Sequence, residues 1–496
     1  SSQPGSPDSR GCALEYSGAR ARYLGRVSVD EAPATTRRAR RETVASTTGP
    51  TPTGALAWVD PERVTGAATR TDFATASAPF VPVEPDLLAD APRRSILRPG
   101  VLIPVGVFAA LAGAYAATTL LWPLHALAPE VTPVQVEPIA SVAAAPVWPG
   151  AGSAAIAVEG IDGTLASSLD PASIASITKV VTALMILDEL PLAPGEQGPG
   201  YRFRYADMLE YWDYRARGES ALDVPIDGAL TQYQMLEGIL VGSANNYAER
   251  LASTIWPSDQ VFASAARSWL ATHGIPGITV VEPTGMDLGN TATAEALIPL
   301  AKKAMENPVV AEIVAKQAIE LPGAGRVENT NGLLADPGVL GIKTGTLDAW
   351  NLLSAKDVVA GDTTVRLYAA VLGQPDDAAR VDASRALYAQ LERELQPRPS
   401  VTADTVAGLV RTEWGEEVSI VTASDAAVVL WNGGAGTVST RYDLGDARTA
   451  GDVVGALSVD GPLDDDLVDL RLAEDIEPPS VWWRLTHPLE LFGLTD

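Results

Sequence analysis

One cysteine, Cys12, stands in a chain of 496 residues. A lone thiol can neither close a disulfide within the chain nor build a cysteine zinc site. Histidine is also scarce. His125, His273 and His487 lie far apart, and none belongs to an H-E-x-x-H pattern. Positive charge is short overall, with a formal net charge of −26. That balance argues against a nucleic-acid partner, whose phosphates need Lys and Arg. Lysine is rarest among the basic residues. Only Lys179, Lys302, Lys303, Lys316, Lys343 and Lys356 occur, against 30 arginines. Arginine holds its proton in proteins, whereas a buried lysine can lose one. Each lysine therefore merits separate inspection.

What is present divides the chain into segments. Residues 1–92 are rich in Ser, Thr, Ala, Pro and Gly and sustain no apolar period. They read as a disordered cytoplasmic tail. From Pro99 to Pro129 there is no Asp, Glu, Lys or Arg. The centre of that run, Val101 to Trp122, matches the roughly 20 residues needed to span a bilayer. A single transmembrane helix is expected over 99–124. Arg93, Arg94 and Arg98 precede it, which puts the N-terminus in the cytoplasm and the remainder outside. Ala126-Leu127-Ala128 has the small-x-small form of a cleavage site. The long preceding tail and Pro129 favour an uncleaved anchor.

Residues 125–148, rich in Pro, Val and Ala, read as a stiff linker. A mixed α/β unit is expected over 149–396. Strands are predicted at 154–158 and 164–168, flanking the Gly160-Ile161-Asp162-Gly163 hairpin signal. Helical patterns dominate from Ser176 to about Lys316. Strands return at 340–346, 351–356 and 364–372, before a helix from about Asp376 to Leu395. Strands at both ends and helices between them imply one sheet assembled from both ends, covered by helices. Short β-like runs over 397–477 suggest a small all-β domain. The aromatic segment 478–496 contains Trp482, Trp483 and Phe492. It reads as packed on the β domain, with a membrane interface as the alternative.

Three short motifs carry chemistry. Ser176-Ile177-Thr178-Lys179 opens an apolar helix that belongs in a core. Residues i and i+3 share a helix face, so Lys179 can reach the Ser176 hydroxyl. Burial lowers a lysine pKa, and a neutral amine can take the serine proton. Alone, S-x-x-K is weak, occurring by chance in roughly one such chain in three. Ser243-Ala244-Asn245 falls on a turn between helices, where a hydroxyl can relay protons and an amide can bind a peptide backbone. By itself it also fits a helix cap. Lys343-Thr344-Gly345, followed by Thr346, ends a predicted strand whose edge can bind an extended peptide. Lys343 offers a cation and Thr344 a hydroxyl, and Gly345 leaves room for close approach. A chance K-T-G is expected about 0.05 times in a chain with so few lysines.

The motifs follow one another at separations of 67 and 100 residues. S-x-x-K, S-x-N and K-T-G in this order mark penicillin-binding proteins and class A β-lactamases. The chain resembles the low-molecular-mass penicillin-binding proteins, the D-alanyl-D-alanine carboxypeptidases, over about residues 145–395. The phrases PASIASITKV, ILVGSANNYAERLA, VEPTGMDLGN and ENTNGLLADPGVLGIKTGT are also similar to that family. Its Arg and Ala bias suggests a GC-rich bacterial genome, as in actinobacteria. The resemblance implies a penicillin-binding-protein/serine β-lactamase-like fold, an antiparallel sheet with flanking helices.

It further implies an acyl-enzyme on Ser176, with Lys179 as base and Ser243 passing a proton to the leaving D-Ala. Asn245 binds the acyl-side amide, Lys343 and Thr344 hold the departing carboxylate, and the Ser176 and Thr346 N–H groups form the oxyanion hole. No metal or cofactor is needed. The implied partners are peptidoglycan peptides ending in D-Ala-D-Ala, β-lactams and, through 99–124, the lipid bilayer. The implied location is the outer face of a bacterial cell membrane. Two alternatives stand beside this reading. A class A β-lactamase would use a Glu to activate water, and Glu249 and Glu282 follow Ser243. Glu282 lies in VEPTGMDLG, which lacks the E-x-x-L-N form. A non-catalytic wall-binding or regulatory protein could keep the fold. A His triad would need His273, and no G-x-S-x-G elbow accompanies it.

Overall fold

A computed structural model describes residues 98–124 and 127–495. The expected tail, 1–92, lies outside the described residues. Helix α1, Pro99–Leu121, is apolar around its whole circumference. Its side chains are exposed almost throughout, Thr119 being buried near the C-terminal end. Pro104 falls inside the helix near its start, where missing backbone bonds are least disruptive.

The mixed unit that follows is built on five antiparallel strands. Their order is Val339–Thr346, Trp350–Ala360, Thr363–Gln374, Ser153–Val158 and Leu165–Ala166. The sheet is thus assembled from both ends of the unit, as the sequence implies. Side chains alternate between its faces with period two. Ala155, Ala157, Leu353, Ala355, Tyr368 and Ala370 enter the helical core. Ile156, Val158, Leu352, Leu367, Ala369 and Val371 enter the opposite core.

The helical side contains α2 (Thr178–Glu189), α3 (Tyr205–Ala216), α4 (Gln232–Leu240), α5 (Asn245–Ile255), α6 (Asp259–Thr272), α7 (Leu297–Glu306) and α8 (Pro308–Val314). Helix α2 is buried from Thr178 to Leu187, as an all-round apolar helix must be. Helix α9 (Asp377–Glu394) covers the other sheet face with Leu387, Tyr388 and Leu391. Its start is fixed by Asp376, whose carboxylate accepts from the Ala379 N–H at 2.8 Å.

The second sheet is C-terminal and antiparallel. Its order is Glu130–Pro133, Val406–Arg411, Glu417–Thr422, Asp465–Leu472, Val453–Asp460 and Thr437–Tyr442. Val410, Ile420, Leu457, Val459 and Leu470 form its core. The first strand comes from the stretch expected to be a linker. Residues 130–148 do not run free. The N–H of Val134 donates to Ala407 O at 2.9 Å, Ile139 to Ser400 O at 2.7 Å and Ser141 to Gly434 O at 2.8 Å. The Val147 N–H then reaches the Gln390 side chain on α9 at 2.8 Å. An edge strand tolerates proline, so Pro133 does not prevent pairing.

The aromatic segment forms two short helices, α10 (Val481–Thr486) and α11 (Pro488–Leu491). Trp483 meets Trp414 of the β domain with ring centroids 6.2 Å apart. Helix α10 also packs on α1, where Tyr115 Oη donates to Leu485 O at 2.7 Å.

Candidate active site

Ser176 lies in a short 3-10 turn, Ala175–Ile177, that leads directly into α2. Ala175 holds a positive φ of 47°, uncommon for a residue with a side chain. Two glycines permit the packing around this turn. At Gly345 a Cβ would fall 2.5 Å from Ile174 O, so the strand Val339–Thr346 can lie against the turn. At Gly285, with φ +85°, a Cβ would fall 2.0 Å from Ala175 O. Only glycine fits either approach.

Lys179 is fully buried in the first turn of α2, three residues after Ser176. Its Nζ lies 2.9 Å from Ser176 Oγ and donates to Thr284 O at 2.5 Å. Burial pulls its pKa down to about 7, against the opposing pull of Glu282, Glu219 and Glu249. A substantial neutral fraction at neutral pH follows. The Lys179–Ser176 pair can therefore exchange the serine proton over one hydrogen bond.

Thr284 is held by Glu282. That carboxylate accepts from Thr284 N and Gly285 N at 2.6 Å, Thr284 Oγ1 at 2.7 Å, Asp287 N at 3.2 Å and Asn290 Nδ2 at 2.6 Å. The loop is bolted to α2 by Thr182 Oγ1, which donates to Pro283 O at 2.8 Å. Glu282 thus uses its oxygens on its own loop. Burial raises the pKa of Glu249.

Ser243 follows α4 on the turn expected from sequence, with a strained φ of 58°. Asn245 begins α5 and is buried, its Nδ2 donating to Glu219 at 3.3 Å. Its Oδ1 has no hydrogen-bond partner among the described residues. The Asn245 N–H donates to Ser220 O at 2.9 Å, stitching the Ser220 loop to this turn.

Lys343, Thr344, Gly345 and Thr346 lie on the edge strand. Thr344 Oγ1 is 2.5 Å from Thr330 Oγ1. Lys343 Nζ is buried and makes no hydrogen bond among the described residues. Burial, with Lys179 and Arg380 nearby, holds its pKa well below the usual lysine range.

A cavity of about 290 Å³ joins these elements. Ser176, Ser220, Ser243, Thr330, Thr344, Thr346, Trp350, Asp377 and Arg380 line it. The basic residue on its wall is Arg380, which no motif of the sequence singles out. Arg380 projects from the first turn of α9 and donates to Gly345 O at 3.2 Å, Thr346 Oγ1 at 3.3 Å and Asn351 O at 3.0 Å. It also pairs with Asp377 and lies over the Trp350 ring. No sequence signal separates it from 29 other arginines. Glu282 and Thr284 were also missed as organisers of the lysine, although they fall within a quoted family-like phrase.

Residues 151–376 match the profile of the D-alanyl-D-alanine carboxypeptidase family. The chain is 30% identical over 182 residues to D-alanyl-D-alanine carboxypeptidase DacB2 of Mycobacterium tuberculosis, covering 35% of this chain. It spans 58% of the length of that relative. Among solved structures, it is similar to a peptidoglycan synthesis regulatory factor (PBP3) from Streptococcus pneumoniae, with 22% identity and a TM-score of 0.45. That match covers 66% of this chain and 99% of the other. The Streptomyces K15 DD-transpeptidase matches at 20% identity and a TM-score of 0.43, covering 50% and 98%. Penicillin-binding protein D2 from Listeria monocytogenes, ampicillin-bound, matches at 21% identity and a TM-score of 0.40, covering 49% and 98%. Over residues 151–376 the chain is thus similar to the D-alanyl-D-alanine carboxypeptidases.

Proposed function

We propose that this chain is a serine D-alanyl-D-alanine carboxypeptidase that trims peptidoglycan stem peptides and is acylated by β-lactams. The observation that carries this reading is the buried Lys179 amine, 2.9 Å from Ser176 Oγ and with a pKa near 7. It supplies an activated serine without histidine or metal.

Ser176 Oγ attacks the carbonyl carbon of the penultimate D-Ala while Lys179 accepts its proton. The N–H groups of Ser176 and Thr346 stabilise the oxyanion. The tetrahedral intermediate collapses by breaking the C–N bond. Lys179 gives that proton through Ser243 to the departing amine, and D-Ala leaves. Water then attacks the Ser176 ester, losing a proton to Lys179, which passes it to the serine oxygen as the ester bond breaks. Asn245 binds the acyl-side amide, its free Oδ1 being available to accept. Thr344, Lys343 and Arg380 hold the terminal carboxylate. The unpartnered Lys343 amine supports that assignment, since a carboxylate would raise its pKa and restore its charge.

The β-lactamase alternative requires a free carboxylate for water activation. The five bonds on Glu282 weigh against it in that role. Helix α1 is long and apolar enough to cross a membrane. In this reading it anchors the chain, with the catalytic unit outside the cell. Exposure to fluorescent penicillin tests the site. A long-lived adduct on the wild type, lost in Ser176→Ala, is expected. Rapid penicillin turnover would instead indicate a β-lactamase, and no adduct a non-catalytic protein.

A further inference from the structure

The wall of the cleft carries an excursion of the chain beside Asn245, tied to the first turn of α5 at both ends. At one end Phe203 meets Tyr247 with ring centroids 6.2 Å apart. At the other, Glu219 accepts from Asn245 Nδ2 at 3.3 Å. Ser220, which lines the cleft, accepts at its carbonyl from the Asn245 N–H at 2.9 Å. Between these ties the chain runs out and back through α3. The start of α3 is fixed by Asp207, whose carboxylate accepts from the Arg204 N–H at 2.6 Å.

Six aromatic residues fall within 201–214, in a chain that is 6% aromatic. Met208 packs on the helical core and Tyr214 is buried, which is the face that α3 needs for folding. A second apolar row, Tyr205, Leu209 and Trp212, follows at i, i+4 and i+7. It is left outside, at 61%, 48% and 55% exposure. The Trp212 ring is braced by Tyr211, with centroids 5.0 Å apart. A contiguous exposed row of this kind marks a surface of interaction. Charge here also departs from the rest of the molecule. Four arginines and three carboxylates lie within 201–218, against a net charge of −26 for the chain.

We propose that α3 is a glycan-binding rim of the cleft, where Tyr205 and Trp212 stack on sugar rings of the strand whose stem peptide Ser176 attacks. The inference rests on the carboxypeptidase reading of the cleft. In that reading Asn245 holds the acyl-side amide, so the rest of the substrate leaves past the segment tied to Asn245. Three stem residues separate the penultimate D-Ala from the sugar, roughly 10 Å when extended. Trp212 stands eight residues before Ser220, half of that path helical, and so within roughly 20 Å of the cleft wall. A few sugars span the difference. The chemistry fits a glycan as well. A pyranose offers apolar C–H faces to a flat ring and hydroxyls to the charged groups around it. Arg204, Asp213 and Arg215 flank the row in sequence and are exposed. Tyr and Trp give such contact area at little cost in rotamer freedom.

The test measures D-Ala release by the full chain in vesicles from two substrates. One is the free pentapeptide ending in D-Ala-D-Ala. The other is the same pentapeptide on a short strand of alternating N-acetylglucosamine and N-acetylmuramic acid. The double change Tyr205→Ser and Trp212→Ser should raise KM on the strand about tenfold with kcat unchanged. Kinetics on the free pentapeptide and penicillin acylation should match the wild type. Unchanged KM on the strand, or an equal loss on both substrates, would overturn the rim. A second arm does not need catalysis. Ser176→Ala protein should bind strands stripped of their stem peptides, and lose that binding with the double change. If wild-type protein releases D-Ala from neither substrate, the carboxypeptidase reading fails, and binding of stripped strands alone decides the rim. Stripped strands that bind equally with and without the double change would overturn it. So would a dimer of the wild type that the double change converts to monomer while glycan affinity stays the same, since the row would then be a self-contact.

Discussion

Burial without a directly paired carboxylate disfavours the Lys179 ammonium and brings its pKa to about 7. The reactive form is the neutral one, so acylation should accelerate as pH rises. The expected slope is about tenfold per pH unit below the inflection, with a plateau above it. Penicillin acylation rates across pH, with an inflection near 7, check this. The same burial affects stability. An unfolded lysine keeps its ordinary pKa, so between about 7 and about 10 the unfolded chain binds more protons. Stability contributed by this residue should therefore rise with pH through that window. Lys179→Met should flatten the rise and stabilise the neutral-pH protein by about 1–3 kcal/mol while abolishing acylation. Denaturant unfolding near neutrality and at about pH 9 measures it. Arg380 and Lys343 divide a different task. Both Lys343→Ala and Arg380→Gln should lower kcat/KM about 100-fold on peptides ending in a free carboxylate. Losses should be far smaller on the same peptides ending in carboxamide. Equal losses on both substrates would remove these residues from carboxylate binding. The motifs that hold Ser176, Lys179, Ser243, Asn245 and Lys343 stand out in the sequence because lysine is rare and the motif order is specific. Arg380 does not, since only the folded chain brings the start of α9 to the edge strand.

At the scale of elements, the nucleophile turn is a product of close approaches rather than of its own propensities. Gly285 and Gly345 admit backbone at distances no side chain allows. Gly285→Ala should lose about 2–4 kcal/mol and most activity, through displacement of Ala175 and Ser176. Thermal unfolding and penicillin labelling check both effects. The catalytic sheet was readable in outline because its strands carry period-two apolar patterns and the helices between them do not. Residues 130–148 misled, because Pro, Val and Ala match an extended linker as well as an extended strap. What distinguishes the two is backbone pairing with Ala407, Ser400 and Gly434, which composition does not carry. Val134→Pro removes the donor to Ala407 and should destabilise the β domain by about 1–3 kcal/mol. Its D-Ala release should stay near wild type, which separates the strap from the cleft.

Across the whole molecule, a strongly acidic chain confines three positive groups, Lys179, Lys343 and Arg380, to one buried neighbourhood. Burial disfavours the charge on both lysines, and repulsion from Lys179 and Arg380 adds to this at Lys343. The acidic remainder gives the cleft its contrast, and an apolar helix offers attachment to a membrane. The central claim is that Ser176, activated by Lys179, releases the terminal D-Ala. It is tested most directly by incubating the full chain in vesicles with a pentapeptide ending in D-Ala-D-Ala and measuring free D-Ala. Release by the wild type and its loss in Ser176→Ala is the predicted result. Release that persists in Ser176→Ala, or none from wild-type protein that binds penicillin, would contradict it.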